Sequence, residues 1–160
     1  MKHKIRIRTK SIRLIGTAFL FALLTVCSTQ AVGIEETPNI LFILVDDQGY
    51  GDLERHGNPS LKTPNINKLH NESARFTNFH VSPSCAPSRC ALMSGKHEFK
   101  SGVTHTIMPG RNMSLKTVTL ADVLKSAGYV TGMFGKWHLG HDGGYRAENR
   151  GFDVAISYTG

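Results

Sequence analysis

Three features of the sequence predict an α/β fold with a largely parallel sheet flanked by helices. Residues 39–45 (NILFILV) are a nearly continuous apolar run, the pattern of a strand buried on both faces. Residues 119–128 carry their own start and stop signals: Thr119 and Asp122 form a capping-box-like opening, and Gly128 ends the element. Between them Leu120, Val123, Leu124 and Ala127 make an apolar stripe. Residues 129–134 (YVTGMF) then resume as a strand, and an alternation of strand and helix implies a parallel sheet.

The remaining elements follow the same logic. Thr63 and Pro64 open a helix as N-cap and first helical residue. Residues 75–81 (RFTNFHV) alternate as a strand does, Ser82 to Cys85 reads as a loop, and a helix is expected from Pro87 to near Gly95. Residues 151–160 begin a further element, expected to lack a partner. Residues 32–37 read as a linker and 38–160 as one domain. Three or four strands make a thin sheet, so the expectation is an incomplete, amino-terminal part of a larger catalytic domain.

The net charge of +7 suggests nucleic-acid binding until its distribution is read. Residues 1–33 hold Lys2, Lys4, Arg6, Arg8, Lys10 and Arg13 with no acid. The rest of the chain carries thirteen Lys and Arg against twelve Asp and Glu, so the body is near neutral. No basic patch remains to argue for a nucleic-acid partner.

Those first residues have the form of a secretory signal: a cationic stretch, an apolar run from Leu14 to Val26, then small and polar residues ending at Ala31. The apolar run is shorter than the roughly 20 residues that span a bilayer. Residues 1–31 are therefore expected to be a signal peptide that engages the export machinery. Export to the periplasm or the exterior would leave a mature chain beginning near Val32. Two alternatives are an uncleaved anchor and lipid attachment at Cys27, the latter disfavoured by Val26 immediately before it.

Three sites carry chemistry. Asp46 and Asp47 are adjacent carboxylates at the end of the predicted strand, where open α/β sheets place their ligands. A hard divalent cation would relieve their repulsion, and a solvated loop start is the plain alternative. In CAPSRCALMSGK (85–96), Cys85 stands just ahead of a helix, where the amino-terminal dipole favours a thiolate or an anion. Arg89 follows one turn later and can bind an oxyanion bidentately; a buried structural cysteine beside a surface arginine is the other reading. Cys85 and Cys90 lie about 140° apart on a helix, which opposes a disulfide. Lys136 and His138 follow a strand and supply a cation and a proton-transfer group. His138 and His141 lack the second His or Cys pair that a zinc site needs.

These segments together resemble the sulfatase family. CAPSRCALMSGK is similar to the signature C-x-P-S-R-x-x-L-x-T-G-[RK], with Ser94 in place of threonine, and GYVTGMFGKWH (128–138) is similar to the second signature. LVDDQGYGDL (44–53) resembles the metal-binding segment, and the three occur in family order. The resemblance implies an alkaline-phosphatase-like fold, truncated here, and a sulfuric ester hydrolase. It implies that Cys85 is oxidised to formylglycine by a formylglycine-generating enzyme and that its hydrate attacks sulfur beside the metal. It further implies that Asp46 and Asp47, with the modified Cys85, hold Ca2+ or Mg2+, that Arg89 and Lys136 neutralise charge, and that His138 hydrogen-bonds the hydrate. A sulfate ester, with sulfated carbohydrate as the class usual for exported members, is the implied substrate. The family's later Asp-Asn pair and further His and Lys are not assignable in this chain. A phosphonate or phosphate monoester hydrolase of the same superfamily, or a non-catalytic fragment, is the competing reading.

Overall fold

The computed structural model describes residues 37–158. The expected signal peptide lies outside them. The chain divides into two units, with the second beginning at Val45. Of the first, residues 37–44 are described; they form no helix or strand, and Leu41 and Ile43 are well exposed. The strand expected over 39–45 is therefore not formed. The apolar run has the side chains for a buried strand, but a strand exists only through ladder hydrogen bonds, and no partner pairs with it among the described residues.

In the second unit the regular elements are α1 (Pro64–Glu72), α2 (Cys85–Ser94), α3 (Leu120–Ser126), β1 (Gly132–Lys136) and β2 (Val154–Tyr158), with short 3-10 turns between them. Thr63 is the N-cap of α1 and Pro64 its first residue, as expected; the Thr63 hydroxyl, however, turns to Asn67 Oδ1 at 3.1 Å. Residues 75–81 form no strand and are exposed throughout, for the reason that applies to 39–45. Helix α2 begins at Cys85, not Pro87. Ser84 takes the N-cap role with extended backbone, and its carbonyl accepts the first helical bond from Ser88 at 3.2 Å. Pro87 sits within the first turn, where its missing N–H costs no helical bond. Gly95 ends α2 in the left-handed region at φ 61°.

Helix α3 shows the full capping box: Thr119 Oγ1 accepts from Asp122 N at 3.1 Å, and Thr119 N donates to Asp122 Oδ2 at 2.8 Å. The strand expected at 129–134 is displaced to Gly132–Lys136. Residues Val154–Tyr158 are not unpartnered; they pair with β1 in parallel, from Gly132 opposite Val154 to Lys136 opposite Tyr158. The register is set at the entrance to the pair. Asp153 Oδ2 accepts from Thr131 N at 2.9 Å and from Thr131 Oγ1 at 3.0 Å, while Asp153 N donates to Thr131 O at 2.9 Å. The other Asp153 oxygen pairs with Lys125 of α3, and that hydrogen bond with those from Thr131 holds the carboxyl at a pKa of about 2.

The core gathers the inner face of α2 and the segment after β1: Ala86, Cys90, Val103, Met113, Trp137, Leu139 and Ala147. Trp137 meets Phe152 edge to face at 6.1 Å and donates Nε1–H to Tyr145 O at 2.8 Å. Trp137 and Leu139 thus anchor both flanks of His138. Arg150, 4% exposed, closes the opposite side of this core by donating to the carbonyls of Met113, Ser114 and Thr117 at 3.3, 3.1 and 2.9 Å. Replacing Arg150 by Met would orphan the Met113 and Thr117 carbonyls, while Ser114 O keeps its bond from Thr117 N at 3.0 Å. It is expected to destabilise the fold by about 3 kcal/mol in denaturant unfolding. A change below about 0.5 kcal/mol, the range of ordinary surface sites, would show that the clamp carries no stability.

Candidate active site

Helical geometry separates the two cysteines of α2. Cys90 falls about 140° around the axis from Cys85, enters the core at 0% exposure, and has its thiol pushed up by burial. Cys85, at the first position of the helix, is only partly buried. Both are free thiols. The approach to Cys85 is pinned from below: Ser82 Oγ donates to Glu98 Oε1 at 2.7 Å, and Ser88 Oγ donates to Ser82 O at 2.8 Å. Glu98 is itself buried, so a carboxylate holds the turn that leads into the helix.

Arg89, one turn beyond Cys85, reaches out of α2 in two directions. One Nη donates to the carbonyl of Lys136 at the end of β1, and the other lies 3.3 Å from Asp46 Oδ1. Lys136 Nζ lies 2.8 Å from Asp46 Oδ2. One carboxylate is thus shared by a guanidinium and an ammonium from distant parts of the chain. The Lys136 hydrogen bond, with Arg89 adding to it, holds the Asp46 carboxyl below the usual range against partial desolvation. The same bond raises Lys136, and the neighbouring Cys85 side chain acts in the same direction. Both partners move as a true ion pair requires.

Asp47 stands outside this cluster, in the left-handed region at φ 54°. His138 also has positive φ, at 60°. Strained backbone of this kind persists where surrounding structure holds it, and here it occurs at two of the sites singled out in the sequence. The imidazole of His138 is 7% exposed, and its Nε2 lies 3.0 Å from Thr106 O. A carbonyl only accepts, so Nε2 carries the proton and Nδ1 presents a lone pair. That Nδ1 is buried and has no partner among the described residues. Burial first, and the Lys136 charge second, lower the pKa of His138 and keep it neutral.

The donors at Asp46 and Asp47 are hard carboxylate oxygens, which suit calcium or magnesium. Their number does not fill a shell of about six to eight oxygens, and no group of three His, Cys, Asp or Glu is gathered among the described residues. His141 does not join His138 at a metal; its Nδ1 lies 3.1 Å from Arg111 Nη2. Sequence reasoning thus named Asp46, Arg89 and Lys136, which the structure brings together, and His138, which hydrogen-bonds Thr106. It missed Glu98, Ser82 and Arg111, whose roles depend on contacts without a local sequence signal, and Thr106, which acts through a backbone carbonyl.

The fold and the ion cluster define an α/β protein that gathers a guanidinium, an ammonium and a carboxylate at the carboxyl end of a parallel strand pair. A family profile described as Sulfatase matches residues 38–160, and the chain belongs to the sulfatase family, whose alkaline-phosphatase-like fold it shares. Arylsulfatase G of Rattus norvegicus is 46% identical over 119 residues, covering 72% of this chain and 23% of that protein. Arylsulfatase A of Bos taurus is 41% identical over 144 residues, 85% of this chain and 28% of the other. N-acetylgalactosamine-6-sulfatase of Homo sapiens is 39% identical over 134 residues, covering 77% and 26%. The crystal structure of Ps i-CgsB superposes with a TM-score of 0.69 at 32% identity, covering 78% of this chain and 29% of that one. The same protein in complex with k-i-k-neocarrahexaose gives a TM-score of 0.63 at 30% identity, covering 72% and 26%. The chain spans between 23% and 28% of the length of these three curated relatives.

The state of His138 yields a pH prediction. A histidine whose folded pKa lies below its unfolded value adds stability above the unfolded value, and that stability is lost as pH falls towards the folded pKa. Folding stability should therefore decline below about pH 6.5, the unfolded histidine pKa. The decline should be shallower in His138→Gln. Nitrogen shifts in NMR should report the Nε2–H tautomer at neutral pH; an Nδ1–H tautomer would contradict the assignment.

Proposed function

We propose that the protein carrying this chain hydrolyses sulfate esters, with sulfated carbohydrate as its substrate class. Cys85, matured to formylglycine by a formylglycine-generating enzyme, would supply the nucleophile. The observation that carries the reading is the convergence of Arg89 and Lys136 on one carboxylate beside the helix that begins at Cys85. Two cations at that point can hold a tetrahedral oxyanion and stabilise the charge that develops in the transition state. The complex of the similar Ps i-CgsB with k-i-k-neocarrahexaose supports a saccharide substrate.

In this mechanism a hydroxyl of the hydrated aldehyde at position 85 attacks sulfur, the bond from sulfur to the alcohol oxygen breaks, and the alcohol leaves with a proton. The sulfate then sits on position 85. His138 Nδ1, neutral and unpartnered, takes the proton of the second hydroxyl. The carbonyl re-forms as the bond from carbon to sulfate oxygen breaks, sulfate departs, and water restores the hydrate. A residue with a single hydroxyl would be left as a stable ester. Asp46 and Asp47 would hold a divalent cation, calcium or magnesium, which when bound polarises a sulfate oxygen. Export through cleavage after Ala31 belongs to the same proposal, since the leader has the composition of a signal.

Paired assays on the full-length protein test it. Aryl sulfate should be turned over far faster than aryl phosphonate or aryl phosphate, and Asp47→Ala should lower bound metal and activity together. Preference for the phosphorus esters, or unchanged metal content in Asp47→Ala, would contradict the proposal.

A further inference from the structure

A loop seated over His138 carries a further cationic group, one that hydrolysis does not use. The loop closes on itself through Gly110 O, which accepts from Thr104 N at 2.8 Å and His105 N at 3.3 Å. It is fastened to the segment after β1 twice, by His138 to Thr106 O and by Met113 N to Leu139 O at 3.1 Å. Arg111, at the base of the loop, therefore has a fixed position relative to His138. Its charge is near enough to help keep His138 neutral. It takes no part in the Asp46 cluster, both oxygens of which are engaged by Arg89 and Lys136.

One edge of the Arg111 guanidinium is braced. Its Nη2 lies 3.1 Å from His141 Nδ1, and His141 Nε2 lies 3.2 Å from Asp142 Oδ2. A guanidinium only donates, so His141 accepts at Nδ1 and donates at Nε2 to the carboxylate. The chain Asp142–His141–Arg111 is polar and correctly matched at each step. The fork is not fully matched: Arg111 Nε is buried and has no hydrogen-bond partner among the described residues. A buried donor on a charged group is costly to leave unpaired, and the ligand that fits a guanidinium fork is an oxyanion.

We propose that Arg111, braced by His141 and Asp142, forms a second oxyanion subsite. It would bind a further sulfate or carboxylate on a polyanionic saccharide whose ester lies at Cys85. The inference rests on the sulfatase reading above and narrows it, from sulfated carbohydrate in general to chains with a second anionic group near the ester. Arg111 is a specificity residue in this account. It contacts the substrate away from the reacting sulfur, so a small aryl sulfate should not depend on it.

Calorimetric titration of the full-length Cys85→Ala protein, which binds without turnover, tests the subsite with two disaccharides that differ only in a second sulfate. The disulfated ligand should bind about tenfold more tightly, as one charge-assisted hydrogen bond implies. Arg111→Ala should abolish that preference while leaving the monosulfated ligand within about twofold. Should Arg111→Ala fail to fold, Arg111→Gln, which keeps length and polarity but not charge, is expected to give the same loss. A preference that survives loss of the charge, or equal weakening of both ligands, would overturn the proposal. Turnover of a monosulfated aryl ester by the unsubstituted protein reports separately on hydrolysis. Its absence with the binding preference intact would remove the sulfatase reading and leave the subsite.

Discussion

The carboxylate of Asp46 is the point through which three separate stretches of chain are brought to one place. Arg89 comes from α2, Lys136 from the end of β1, and Asp46 from the start of the unit that contains them. Arg89 also binds the Lys136 carbonyl, so the cationic side chain and the strand end are tied to the same helix. Each exposed ion pair of this kind adds little to folding on its own. Its importance is positional: without the shared anion, two cations beside the Cys85 helix would repel each other. The cluster holds two cations together through one shared anion.

Burial divides the neighbouring groups into roles. Cys90 and Cys85 lie on one helix, yet one is sealed in the core and the other stands at the helix opening. His138 is held between Trp137 and Leu139 with positive φ, its protonated nitrogen committed to Thr106 and its lone pair uncommitted. A general base needs this combination, since a charged imidazole would have nothing to accept with. Glu98 and Ser82 perform a quieter task by fixing the turn into α2.

Features set by neighbours in sequence were legible in advance. The α3 capping box, the Gly95 stop, the Thr63-Pro64 opening and the angular separation of the cysteines all depend on residues within a turn or two. The site residues were legible because signature spacing places Cys85 and Arg89 on one helix and Lys136 at a strand end. The strands were less so. Residues 39–45 and 75–81 have the right alternation or apolarity, but pairing is a long-range event, and among the described residues only β1 and β2 pair. The partner of β1 was read as unpartnered because the Thr131–Asp153 clasp that sets its register spans twenty-two positions. Arg111 escaped notice because its value lies in an unmatched donor, which no spacing reveals.

Peptide mass spectrometry of the full-length protein, co-expressed with a formylglycine-generating enzyme, tests the central claim most directly. The account predicts that the peptide containing Cys85 loses its sulfur and appears as an aldehyde or its hydrate, while Cys90 retains an intact thiol. A Cys85 that keeps its sulfur in protein that turns over aryl sulfate, or a Cys85–Cys90 bridge in such protein, would contradict it.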